Sequence, residues 1–270
     1  MRNLILILLF FFLVFTNAQD QKITHGISFY YQLSYSENSD TLQLNGREIF
    51  VLNINKEQSV FSSLNNLRRD SALQIQKAEF DIGKTSFSMK GVPRTSFTYY
   101  IEKVPFKQEV RNYDQIGGKN FIYDENSIRN QWKLSDEKKV IGGFECRKAT
   151  ISKFGRNFIA WYTTLIPISD GPYKFFGLPG LILQVYDETL HYNFSLVKYD
   201  PNENIVISVP NYRKEKAILT DKKRFVDAKK NYNNNVVEMA KGMGLVLSDQ
   251  RAKELHEKNN KSIVPLEIEY

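Results

Sequence analysis

The chain has 270 residues, of which 42% are hydrophobic and 13% aromatic, and its formal net charge is +7. This apolar and aromatic content is sufficient for a packed core and excludes an intrinsically disordered chain. The single cysteine, Cys146, excludes an intramolecular disulfide. We therefore expect the fold to depend on its core and Cys146 to be a small buried hydrophobe.

Residues 1–18 have the order of a secretory signal peptide. Arg2 supplies a positive charge near the N-terminus, and an apolar run of 12 residues extends from Leu4 to Phe15. A cleavage site of the small-residue type follows and ends at Ala18. The run is shorter than the roughly 20 residues that a membrane-spanning helix needs. We expect cleavage after Ala18 and export to the periplasm or beyond the cell. The residue directly after the cleavage position is Gln19 and not a cysteine, so a lipoprotein is not expected.

The first part of the remaining chain is predicted to be mainly strand. Between Ile27 and Tyr35 the apolar side chains occupy nearly every second position, which indicates a strand with one buried face. Short apolar runs then recur between turn signals, and this favours antiparallel pairing, because parallel strands need long crossovers. Ser62 or Ser63 is predicted to cap a helix that continues to about Ala78, with Leu64, Leu67 and Ile75 on its apolar side.

The C-terminal fifth of the chain changes from strand to helix. Asp221 is a helix start, and apolar residues then step by three or four, at Phe225, Ala228, Tyr232, Val236, Met239 and Met243. A shorter helix is predicted after Ser248. We predict one domain over residues 19–270, mainly β with α: a curved antiparallel sheet or half-barrel with the C-terminal helices packed on it.

Residues 211–261 are basic, with 13 Lys and Arg against 7 Asp and Glu. Such a segment is either a solvated face or a peripheral contact with a phosphate-rich membrane surface. Expected export argues against nucleic acid as a partner.

The most distinctive motif is the hexapeptide Gly177-Leu178-Pro179-Gly180-Leu181-Ile182. Proline at the second place of a turn presets φ, and glycine at the third place accepts the positive φ of a type II turn. The apolar residues that follow are typical of a buried strand. We interpret the hexapeptide as a structural motif.

The hexapeptide and its surroundings resemble the GLPGLI family of exported Bacteroidota proteins. The segment Ile141–Ala149 (IGGFECRKA) is similar to a family segment, and Phe154-Gly155-Arg156 and Ala160-Trp161-Tyr162 follow in the family's order. The similarity is strongest over residues 132–187. The resemblance implies an exported protein of uncharacterised function, with an outer-membrane or other envelope protein as a candidate partner. It brings no catalytic residue.

The sequence contains no recognisable catalytic or metal-binding constellation. His25, His191 and His256 are far apart and lie in no metal spacing, so we predict neither a metal nor a cofactor. Cys146 has two basic neighbours but no histidine near it in sequence, which disfavours a cysteine nucleophile.

Acidic residues near turns leave two interpretations open. One interpretation is a pair of carboxylates in an active site, drawn from Asp170, Asp187 and Glu188. We favour the other, in which these acidic residues only cap turns.

The sequence favours a non-enzymatic module that binds an envelope partner or ligand. Amphipathic rings and cations near turns suggest a partner surface, formed by Arg156, Trp161, Tyr162, Tyr173 and Lys174. Two alternatives stay open. One is a peptidase-like envelope hydrolase with a site drawn from separate strands, and the other is a carrier of lipid-like molecules in the concave face of the sheet.

Overall fold

The chain folds mainly into β-structure. In the described residues, twelve strands form one mixed sheet and four helices accompany it. The prediction of a mainly β fold with helices is confirmed. The expected signal peptide and His25 lie outside the described residues. The computed structural model describes residues 23–24, 26–36, 44–86, 88–104, 107–125, 131–201, 205–242, 244–260 and 266–268.

The elements alternate little between strand and helix along the chain. The helices are α1 (Leu64–Asp81), α2 (Asn211–Lys214), α3 (Lys222–Gly242) and α4 (Asp249–Asn260). The strands are β1 (Ile23–Thr24), β2 (Ile27–Tyr35), β3 (Gly46–Ile54), β4 (Ser59–Ser63), β5 (Tyr100–Val104), β6 (Glu109–Ile116), β7 (Lys119–Glu125), β8 (Lys133–Ile141), β9 (Phe144–Lys153), β10 (Arg156–Thr163), β11 (Leu181–Asp187), β12 (Tyr192–Asp200), β13 (Ile205–Val206) and β14 (Ile218–Leu219).

The large sheet is open and almost entirely antiparallel. Its order is β14-β7-β6-β5-β4-β3-β2-β12-β11-β10-β9-β8, and β14 pairs with β7 in parallel. Strands adjacent in the chain are mostly adjacent in the sheet, as hairpin connections require. The pairing of β2 with β12 joins the two runs of hairpins. Strands β1 and β13 form a separate antiparallel pair.

Strand β2 shows how the sequence directs the core. Phe29, Tyr31 and Leu33 are almost completely buried, as the period of two predicts. The Tyr31 hydroxyl donates to the Ile182 carbonyl oxygen at 2.8 Å, which satisfies this polar atom inside the core.

Helix α1 begins as predicted and packs Leu67 against the core, but its most buried side chains are polar. The Ser63 hydroxyl accepts the Asn66 N–H at 3.1 Å, which is the expected cap. The buried residues of the helix are polar, Asn66 and Asp70, whereas Ile75 is exposed. The reason is Arg213 of α2, whose guanidinium donates to both oxygens of Asp70 at 2.9–3.0 Å.

Helix α3 packs on the end of the sheet, as predicted. The Asp221 carboxylate accepts the Arg224 N–H at 2.8 Å, and this caps the helix. Phe225 is buried against Tyr123 of β7, with ring centroids 5.1 Å apart. Met239 is exposed, and Met243 lies outside the described residues. Among the described helices, none is both long and apolar enough to cross a membrane.

Candidate functional site

The hexapeptide forms a tight turn into β11, but not the predicted type II turn. The Gly180 N–H donates to the Leu178 carbonyl oxygen at 2.8 Å, so the turn closes around Pro179 alone. Gly180 has φ +154°, whereas the third position of a type II turn has φ near +80°. Leu178, Leu181 and Ile182 are buried.

A buried ion pair anchors the loop before the hexapeptide to the sheet. The Lys103 Nζ of β5 donates to the Asp170 Oδ1 at 2.5 Å and to the Gly171 carbonyl oxygen at 2.6 Å. The Ser59 hydroxyl of β4 donates to the Asp170 Oδ2 at 2.5 Å, and the Gly171 N–H donates to Oδ1 at 2.7 Å. Asp170 is therefore a structural anchor, consistent with the turn-cap interpretation.

The predicted partner surface is wrong, because the structure buries all five residues. Trp161, Tyr162, Tyr173 and Lys174 are 1–8% exposed, and the Arg156 side chain is 8% exposed. Trp161 and Tyr162 lie on opposite faces of β10, which pairs with β9 without a register shift, because the extra residue of the nearby bulge is Leu183 of β11. The Lys139 Nζ lies 4.3 Å from the centroid of the Trp161 ring. Aromatic and cationic residues near turns suggest an exposed surface, but the side chains of these five residues are buried.

Arg156 belongs to a network that locks the β11–β12 turn. Its Nη1 lies 3.1 Å from the Asp187 Oδ2, and the Tyr192 N–H donates to the Asp187 Oδ1 at 2.6 Å. The Thr189 hydroxyl contacts Asp187 and lies 2.7 Å from the His191 Nδ1. Asp187 thus acts as a turn cap, and it serves a network separate from that of Asp170.

Tyr173 and Lys174 enter a second buried charge cluster. The Lys174 Nζ donates to the Glu267 Oε1 at 2.7 Å and also contacts Glu125. Lys222 of α3 lies 2.5 Å from the Glu267 Oε2 and 3.3 Å from the Glu125 Oε2. The Tyr173 hydroxyl donates to Glu267 at 2.5 Å. Glu125 belongs to β7 and Glu267 to the C-terminal tail, so this cluster had no local signal in the sequence.

Glu267 should make the stability of the fold depend on pH in the acid range. Burial alone would raise its pKa, but the charges of Lys174 and Lys222 and their hydrogen bonds outweigh this and lower the pKa from 4.5 to about 2. A carboxyl group with a depressed pKa stabilises the fold above its unfolded pKa, and this stability is lost as the pH falls toward the folded pKa. The stabilisation is on the order of 3 kcal/mol above pH 5 and about 1 kcal/mol at pH 3.

We therefore expect Glu267→Gln to lower the melting temperature strongly at pH 6 and much less at pH 3. Calorimetry of the variant and the wild type at both pH values measures the difference. Glu254→Gln, on the exposed part of α4, is the control and should change little at either pH. A Glu267→Gln deficit that is equal at pH 6 and pH 3 would contradict the ion-pair account.

Cys146 is buried, as expected from the sequence. Its thiol donates to the Phe144 carbonyl oxygen at 3.4 Å, and burial raises its pKa. A raised pKa disfavours the thiolate, which is the reactive form. Within the described ranges, no three His, Cys, Asp or Glu residues are placed to hold a metal ion.

The described residues form a groove of about 320 Å³ with largely apolar walls. Ile141 and Phe144 at the β8–β9 turn form one wall, and Leu183 of β11 with Leu196 and Tyr199 of β12 forms the other. Leu183 is buried, whereas Tyr199 is 52% exposed. The groove therefore begins in the core and opens to solvent.

A β-bulge in β12 creates the outer wall of the groove. Leu196 pairs with Tyr31 and Lys198 pairs with Tyr30, so Val197 is an extra residue. Without the bulge, Lys198 would share the core-facing side of Leu196. The bulge instead places Tyr199 there, opposite Phe29, and turns the Lys198 amine over the Tyr30 ring at 5.4 Å. The extra residue thus places the Tyr199 ring, rather than the Lys198 side chain, on the same side of the strand as Leu196.

Comparison with known proteins finds a match of one segment to a family of unknown function and a structural similarity to solved proteins. Residues 153–184 match a family described as "Protein of unknown function (Porph_ging)", and the hexapeptide lies within this stretch. No curated protein matches the chain.

Two solved structures of PNGF-II are similar to the chain. The structure in space group P21 is 14% identical to this chain and has a TM-score of 0.50. The match covers 76% of this chain and 33% of the PNGF-II chain. The structure in space group C2 is 14% identical and has a TM-score of 0.49. Here the match covers 76% of this chain and 32% of the PNGF-II chain. At 14% identity, the similarity to the structure in space group P21 shows a related fold and nothing about function. The chain spans about a third of the length of PNGF-II.

Proposed function

We propose that the chain is a non-enzymatic binding module of the cell envelope whose ligand site is the groove between the β8–β9 turn and β12. The ligand we propose is an amphipathic anion with a single apolar chain, of the fatty-acid type. The groove volume of about 320 Å³ is the observation that carries the proposal, since it lies in the range of about 300–1,000 Å³ typical of small-molecule sites.

The walls of the groove match such a ligand. Its apolar side chains offer contact to a hydrocarbon chain, and each buried methylene contributes about 0.8 kcal/mol. Lys198 lies at the rim with a side chain that is 64% exposed, and it offers a positive charge to a carboxylate. These apolar walls favour a carrier over a hydrolase, which needs acid and base groups that converge in a polar cleft.

Location in the envelope is part of the proposal. It is supported by the signal-like residues 1–18, by the resemblance to the GLPGLI family and by the match of residues 153–184 to the Porph_ging family. The basic residues of α3 and its surroundings would add a peripheral contact with an anionic membrane or envelope partner.

Titration with dansyl-labelled undecanoic acid tests the proposal. We expect saturable binding with a rise in dansyl fluorescence, and displacement by unlabelled lauric acid. Val197→Asp should weaken binding at least about tenfold, because a carboxylate in the groove repels the head group and hydrates the wall. Val197 is 54% exposed, so the substitution should leave the fold intact.

Val140→Asp is the matched control, since Val140 is 72% exposed on β8 and does not line the groove. It should bind as the wild type does. Lys198→Gln should weaken binding less than Val197→Asp and reduce its salt dependence. Equal affinity of Val197→Asp and Val140→Asp, or no binding by the wild type, would overturn the proposal.

A further inference from the structure

The connection between α3 and α4 exposes aliphatic side chains, and we call its residues 244–248 the α3–α4 loop. Val246 is fully exposed, Leu245 is 56% exposed, and Leu247 after them is half-buried. Single exposed aliphatic residues are ordinary on a protein surface, but a run of them is typical of a surface that contacts another apolar phase. The loop shares no residue with the groove.

Hydrogen bonds at both ends fix the shape of the α3–α4 loop. The Gly244 N–H donates to the Lys241 carbonyl oxygen at 2.9 Å. The Leu245 N–H donates to the Ala240 carbonyl oxygen at 3.1 Å, and the two bonds together form a Schellman cap, with Gly244 at φ +83°. At the other end, the Ser248 hydroxyl accepts a backbone N–H of the first turn of α4 at 3.3 Å. The loop therefore needs little ordering before it contacts another surface.

The loop lies away from the sheet. Helix α3 contacts the sheet through its first half, where Phe225 and Tyr232 belong to a hydrophobic cluster with β6 and β7. Its second half leads to α4, which packs on α3, and the helix ends about 15 Å beyond Tyr232. The loop is therefore at the far end of the α3–α4 hairpin, where a flat surface can reach it.

Cations flank the loop on both helices. Lys241 in the last turn of α3 and Arg251 in the first turn of α4 have side chains that are 51% and 74% exposed. Their ion pairs with Glu238 and Glu254, at 3.0 and 3.6 Å, are open to solvent and therefore weak. Both cations can thus reach an anionic group beside the loop.

We propose that the α3–α4 loop docks the protein on lipid bilayers that contain anionic phospholipids, with Leu245 and Val246 inserted below the head groups. The inference rests on the proposed function in the envelope and names the membrane contact of that function. Residues 211–261, which include both helices, have 13 Lys and Arg against 7 Asp and Glu, and this excess complements a negatively charged bilayer. Interfacial segments bind such bilayers through apolar burial and electrostatic attraction together.

Flotation with unilamellar vesicles tests the proposal on the exported form of the protein, which is expected to begin at Gln19. We expect binding to vesicles of phosphatidylcholine with about a quarter phosphatidylglycerol, and weaker binding to phosphatidylcholine alone. Val246→Asp should weaken binding to the mixed vesicles at least about tenfold, because it puts a carboxylate where an aliphatic side chain leaves water. Val246 is fully exposed, so the melting temperature should not change.

Val140→Asp is the matched control, since it adds the same charge at a residue that is 72% exposed on β8. It should bind the vesicles nearly as the wild type does. No binding of the wild type to the mixed vesicles would overturn the proposal. An equal loss in Val246→Asp and Val140→Asp would also overturn it, because net charge alone, without insertion, would then hold the protein on the bilayer.

A fluorescent label reports the insertion directly. An NBD group on Val246→Cys should gain fluorescence several-fold with the mixed vesicles, whereas the same group on Val140→Cys should not. The native Cys146 is buried and should react slowly with the label. An NBD signal at position 246 that the vesicles leave unchanged would contradict the proposal.

The vesicle assay and the fatty-acid titration can fail separately. Val246→Asp should bind dansyl-labelled undecanoic acid as the wild type does, since Val246 lies outside the groove. Loss of fatty-acid binding in the wild type, with vesicle binding intact, would contradict the groove and support the loop. The reverse result would contradict the loop alone.

Discussion

Replacing Asp170 by Asn should lower the melting temperature by about 10 °C, because it leaves the Lys103 amine buried without its counter-ion. The side chains of this pair are 0% and 2% exposed. Breaking a buried ion pair from one side typically costs about 3–5 kcal/mol. In a protein of this size each kcal/mol corresponds to about 2–4 °C. Thermal unfolding followed by circular dichroism measures the effect.

Two further variants separate the charge from the shape of Asp170. Asp200→Asn makes the same substitution in the exposed pair with Lys198 and should change the melting temperature little. Lys103→Met combined with Asp170→Asn removes the uncompensated charge and should be more stable than Asp170→Asn alone. A double variant no more stable than the single one would show that the buried charge is not the cause.

Gly180→Ala should destabilise the fold on the order of 4 kcal/mol, or prevent folding. A Cβ at Gly180 would lie 2.0 Å from the Thr163 carbonyl oxygen at the end of β10. Backbone strain of about 1–3 kcal/mol at φ +154° adds to overpacking of about 1–3 kcal/mol. Asn tolerates unusual φ better than most residues, but its Cβ meets the same oxygen, so Gly180→Asn should be as damaging. The measurement is the free energy of unfolding in urea.

Gly143→Ala is the matched control for the backbone alone. Gly143 has φ +85°, and a Cβ there would meet nothing within 4 Å. Its substitution should cost only about 1–2 kcal/mol. If both variants lose the same stability, the close approach of Gly180 to β10 contributes nothing and the hexapeptide acts only through φ.

Local patterns in the sequence predict much of the fold. The alternation in β2, the Ser63 cap and the Asp221 cap each depend on residues close in the chain, and all three are confirmed. The stripe of α3 predicts its buried Phe225 for the same reason. Periodicity and capping are local physics, so one sequence is enough to detect them.

The sites depend on distant contacts, which local patterns do not contain. The local sequence around Lys174 is that of a surface lysine, but its partners Glu267 and Glu125 lie 93 and 49 residues away in the chain. The groove depends on one extra residue in β12, and no feature of the sequence around Val197 marks the bulge. Trp161 and Tyr162 lie on opposite faces of β10 and are both buried, because distant parts of the chain cover both faces of the strand.

The most direct test of the groove is a methyl NMR titration of Ile-, Leu- and Val-labelled protein with lauric acid. The proposed function predicts saturable shift changes for methyl groups of Ile141, Leu183, Leu196 and Val197, which line the groove. The methyl groups of Val140 and Val246, which are exposed elsewhere, should not move. Shifts confined to methyl groups outside the groove, or no shift at high lauric acid concentration, would contradict the account.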